Sequence, residues 1–62
     1  MFKITFKVQG TNVLKALEVL EAFGIKTTHF AGEISLEADD YESIHDMVKD
    51  LHITSWSAIL QS

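Results

Sequence analysis

From Phe2 to Val8 the chain alternates apolar and polar residues without a break, with Phe2, Ile4, Phe6 and Val8 on one side and Lys3, Thr5 and Lys7 on the other. A period of two predicts a strand buried on one face only. Gln9-Gly10-Thr11-Asn12 then makes a turn in which Thr11 or Asn12 is placed to cap a helix. Three- and four-residue spacing predicts that helix over 13–23. Leu14, Leu17 and Leu20 form its apolar stripe, with Val13 and Phe23 at the ends, while Lys15, Glu18 and Glu21 face water. Gly24 stands where a helix C-terminus needs a positive φ.

A second strand is expected over 25–31, with β-branched Ile25, Thr27 and Thr28. Its alternation is weak: Ile25, Thr27, His29 and Ala31 share one face, and Lys26, Thr28 and Phe30 the other. That weakness suits a sheet edge. Gly32 with Glu33 reads as a tight turn, and 34–38 as a third, cleanly alternating strand. Asp39 is the expected cap of a second helix, with Glu42 three residues on in the manner of a capping box. Tyr41, Ile44, Val48 and Leu51 lie at the spacing of one buried face beside Met47, and His52 ends the helix. Residues 53–60 read as a fourth strand and 61–62 as a tail.

The order strand, helix, strand, strand, helix, strand with right-handed crossovers predicts one α+β domain spanning 1–62. Its four-stranded antiparallel sheet has the order 4-1-3-2, with both helices on one face. This is the ferredoxin-like arrangement.

Composition narrows what such a domain can do. The 62 residues include no Cys, no Pro and no Arg, and the formal charge is −4. A chain this short has a thin stability margin, and without disulfides it relies on dense apolar burial or self-association. A net negative charge and the absence of Arg disfavour nucleic acid as a partner. No apolar run approaches the ~20 residues that cross a bilayer. The expectation is a soluble, cytoplasmic protein with no membrane role and no cofactor.

The outer sheet face is expected to carry Lys3, Thr5, Lys7, Ser35 and Glu37. RNA-recognition domains of this topology stack bases on aromatics at such positions, and none stands here. Val8-Gln9-Gly10 resembles the phosphate-cradling turn of acylphosphatases. Leu14 stands where that motif has its Arg, and Lys15 is one position off, so phosphate hydrolysis lacks its residues. Copper carriers of this fold need a Cys-x-x-Cys loop. His29, His45 and His52 are the remaining metal candidates; His45 and His52 are too far apart on one helix to chelate together, and all three read as surface or half-buried side chains.

The run Val13-Leu14-Lys15-Ala16-Leu17-Glu18-Val19-Leu20, followed by Gly24-Ile25, the hairpin and the second helix, resembles the ACT family of small regulatory domains. The resemblance covers nearly the whole chain. It implies a regulatory domain that binds a small metabolite at a dimer interface, with Gln9, Gly10, Thr11 and Asn12 lining the site.

Two aromatics fit neither helix. Phe30 and Trp56 fall on opposite edge strands, and Trp56 shares its face with Thr54, Ala58 and Leu60 in simple alternation. Trp56 is either core filling or an interaction anchor. The leading expectation is a non-catalytic, stand-alone protein-binding module, either an adaptor or a small inhibitor of a larger protein, a class that includes inhibitors made by viruses. Its candidate surface is Lys26, Thr28 and Phe30 on one edge and Thr54, Trp56, Ala58 and Leu60 on the other. Homodimerisation through these edges is expected as well.

Overall fold

A computed structural model describes residues 1–61; Ser62, the end of the expected tail and domain, lies outside the described residues. The elements are β1 (Phe2–Val8), α1 (Asn12–Ala22), β2 (Thr27–Phe30), β3 (Glu33–Ala38), α2 (Glu42–Val48), a one-turn 3-10 helix (Lys49–Leu51) and β4 (Ile53–Leu60). The sheet runs β2-β3-β1-β4, and every pairing is antiparallel. This is the expected ferredoxin-like βαββαβ topology, with the two best-patterned strands at its centre.

One face of the sheet is covered by both helices. Ile4, Phe6 and Val8 of β1 and Ile34 and Leu36 of β3 meet Ala16 and Leu20 of α1 and Ile44 and Val48 of α2 in a single core. No helix among the described residues is long and apolar enough to cross a membrane.

α1 begins one residue earlier than its spacing suggests and shows a different face to the sheet. Leu14 is 66% exposed, whereas Ala16 is fully buried. The inward stripe is Val13, Ala16, Leu17 and Leu20. Ala16, a small side chain, is fully buried among the residues of the core. Phe23, expected at the end of the stripe, is exposed as well. The helix stops in a Schellman arrangement: Ile25 N–H donates to Leu20 O (3.0 Å) and Gly24 N–H to Glu21 O (2.9 Å), with Gly24 at φ 75°. Neither expected cap works as a cap. Thr11 makes no side-chain hydrogen bond at the helix start, and Asn12 Nδ2 donates to Leu51 O (3.0 Å) instead.

β2 is shorter than expected, because Ile25, Lys26 and Ala31 do not join the ladder. The hairpin turn is Ala31-Gly32, not Gly32-Glu33. Both residues have positive φ (54° and 80°), as a two-residue type I′ connection demands, and Phe30 therefore pairs with Glu33. The box that opens α2 is also displaced by one residue. Asp40, not Asp39, accepts from Ser43 N–H (2.8 Å) and Ser43 Oγ (3.1 Å), so Ser43 takes the place expected of Glu42. These two bonds, the backbone one first, lower the Asp40 pKa from its ordinary value. Ile44 and Val48 are buried as expected, but Tyr41 stays outside the core and rests edge-on against Phe2, with centroids 5.2 Å apart. Gln61 is not a free tail residue, since its N–H donates to Met1 O (2.9 Å).

Candidate functional site: the uncovered sheet face

No described element covers the sheet face away from the helices. Register sets its side chains in three rows. The middle row is Thr28, Ser35, Thr5 and Ser57, one hydroxyl from each strand in sheet order. Thr5 Oγ1 and Ser35 Oγ lie 3.3 Å apart, within hydrogen-bond distance. On one side runs the row Glu37, Lys3 and Ile59. On the other run Phe30, Glu33, Lys7 and Ser55, in which Lys7 Nζ and Glu33 Oε1 stand 4.0 Å apart. Both members of that ion pair are about half exposed, so solvent screens it and it contributes little to stability.

Charge divides between the two sides of the molecule. Glu18, Glu21, Asp39, Asp40, Glu42, Asp46 and Asp50 belong to the helices and the loop that leads into α2. The outer face balances Lys3 and Lys7 against Glu33 and Glu37 and is locally neutral. At its corner Phe30 is 84% exposed, the most exposed large apolar side chain of the described residues.

The expected partner-binding residues do not form one patch. Thr28 and Phe30 lie on the outer face of β2. Lys26 is exposed but precedes β2, where it helps line a shallow cleft of about 610 Å³ between 24–28 and the end of β3. Trp56, Ala58 and Leu60 are at the far edge and on the helix side, paired with Phe6, Ile4 and Phe2. Trp56 is partly buried. Its ring centroid is 5.6 Å from that of Phe6 and 5.0 Å from that of His45, which meets it edge-on. Trp56 thus packs at the core margin.

A β-bulge explains why alternation misgroups this strand. The register shifts between Lys7 and Val8, so that Ser55 faces Lys7 while Ile53 faces Val8. Thr54 is the extra residue, and its hydroxyl reaches Lys7 O at 3.5 Å. Ile53 consequently packs on the core with Trp56, not with Ser55, Ser57 and Ile59.

The Gln9–Asn12 loop is tied down from within. Gln9 N–H donates to His52 O (3.2 Å), Asn12 N–H to Gln9 O (3.1 Å), and the Asn12 side chain to Leu51 O. Among the described residues no group of three or more His, Asp or Glu side chains is placed to hold a metal ion. The hydroxyl row has no histidine on its own face: His29 lies opposite Ile34 on the helix side, His45 is in α2, and His52 follows the 3-10 turn. Sequence reading missed Ser57, Ser55 and Ile59 as members of the outer face, because only the register of β4 places them there.

No protein-family model matches the chain, and no curated protein and no solved structure is significantly similar to it.

Proposed function

We infer that the chain is a non-catalytic protein-binding module of the cytoplasm, an adaptor or a small inhibitor of a larger protein, whose contact surface is the outer face of its sheet. The observation that carries this reading is the combination on that face. It is bare, it is locally neutral in an otherwise acidic molecule, and it holds a row of hydroxyls with Phe30 fully presented at one corner. Interfaces commonly pair an exposed aromatic anchor with polar groups that adapt their hydrogen bonds. A hydroxyl row with no histidine on its face is suited to such contacts more than to nucleophilic attack.

The test is capture of a partner by the immobilised chain, run beside Phe30→Asp. Phe30 is so exposed that the variant keeps the fold, and its circular dichroism should match the parent. Loss of the captured partner with the fold intact supports the reading; equal capture by both chains removes it.

The alternative is an ACT-like regulatory domain that takes a small metabolite at Gln9, Gly10, Thr11 and Asn12. Asn12 and the Gln9 backbone are already engaged within the chain, so the geometry gives this reading less support. A native-state ligand raises Tm. A screen of amino acids and nucleotides at millimolar level that leaves Tm unmoved removes the alternative.

A further inference from the structure

The two edges of the sheet are built differently. β2 has four residues and follows a lysine. β4 has eight residues, Ile-Thr-Ser-Trp-Ser-Ala-Ile-Leu, without a charge, a proline or a glycine. β4 is terminal in the sheet order, and no described element pairs with its outer edge. Proteins that keep an edge open guard it with a charge, a proline, a bulge or short length. Here the bulge lies near Thr54, and the stretch beyond it is unguarded. Its far end is also apolar on both faces: Ile59 is 62% and Leu60 69% exposed, with exposed Met1 and Tyr41 close by.

We propose that β4 pairs antiparallel with β4 of a second copy, joining two sheets into one of eight strands. The geometry selects the register. A two-fold axis that pairs a strand with itself antiparallel runs perpendicular to the sheet, so both helical layers stay on one side and each residue meets one of the same face. Centring the axis on Ser57 uses the whole stretch 54–60. It sets Trp56 against the partner's Ala58, Ile59 against the partner's Ser55, and Leu60 against the partner's Thr54, so each bulky side chain meets a small or polar one. Centring it on Trp56 instead brings two indoles together. The Ser57 register also carries the hydroxyl row across the axis without interruption. This dimer does not depend on the role inferred for the outer face, and Phe30 lies at the opposite edge.

The test is charge reversal at the axis. Within one chain Ser57 stands opposite Thr5, with Lys3 and Lys7 as its diagonal neighbours, so Ser57→Glu is tolerated by the monomer. Across the axis it sets two carboxylates side by side. Light scattering on a sizing column should give twice the 7.0 kDa chain mass for the parent at micromolar concentration. Ser57→Glu and Ser57→Lys alone should each give half that mass with unchanged circular dichroism, and an equimolar mixture of the two should regain the dimer. Phe30→Asp should remain dimeric. A parent that stays monomeric to millimolar concentration, single variants that stay dimeric, or a mixture that does not recombine overturns the proposal.

Discussion

Trp56 stands directly across the ladder from Phe6, and their rings pack at a tilt of 38° with centroids 5.6 Å apart. Phe6 is fully buried at the centre of the sheet. The indole therefore closes the β4 side of the core, with His45 of α2 edge-on against its other flank. Trp56→Ala should destabilise the fold by about 2–3 kcal/mol, somewhat below the loss for a fully buried Trp. Urea titration followed by circular dichroism measures it; a change within about 0.5 kcal/mol would place the indole outside the core after all.

Leu14 and Ala16 give a paired test of the face that α1 presents. Leu14→Ala removes an exposed side chain and should leave stability within about 0.5 kcal/mol of the parent. Ala16→Leu forces a larger side chain into a fully buried position and should cost about 1–3 kcal/mol. The reverse ranking in thermal unfolding would mean that the leucine stripe faces inward.

Asp40 predicts a pH dependence whose sign follows from its lowered pKa. A carboxylate held down in the folded state stabilises above its unfolded value, near 3.8, and that contribution is lost as pH falls through the lower folded value. Asp40→Ala should thus lower Tm at neutral pH, and the gap between the two proteins should narrow in acid. A gap that stays constant down to about pH 2 would show that the carboxylate charge is not involved.

Asn12 ties the start of α1 to the 3-10 turn. Asn12→Ala leaves Leu51 O without that donor and should cost about 1 kcal/mol. Hydrogen exchange should speed up at the Gln9 amide, whose acceptor is the neighbouring His52 O. Unchanged exchange there would mean that the loop is held by its backbone alone.

What the sequence reveals about this fold follows from how cleanly each segment alternates. β1 and β3 carry strict period-two patterns, and from these the element order and the central strands can be read directly. Failures occur where one residue more or less changes the answer. Thr54 bulges, so Ile53 and Trp56 face the same way although they are three apart. Asp39 and Asp40 both look able to accept at the start of α2, and it is Asp40 that receives the Ser43 bonds. Ala16 looks incidental in a helix full of leucines, yet contact with the sheet favours the small side. The outer face was half legible: its central residues follow from alternation, but the row from Thr28 to Ser57 exists only once register is known.

The place of β1 between β3 and β4 has a kinetic consequence. Its ladder with β3 closes over a connection that α1 and the hairpin shorten as they form. Its ladder with β4 joins the two most distant strands of the chain, and must wait for α2 to bring them together. Loop closure of this kind slows folding, so the chain should fold in milliseconds and not in the microseconds of a helical bundle of its size. Because Trp56 sits in β4, its fluorescence should report the last closure. Stopped-flow refolding that shows the hairpin's amides protected only after the Trp56 signal has finished would reverse this order.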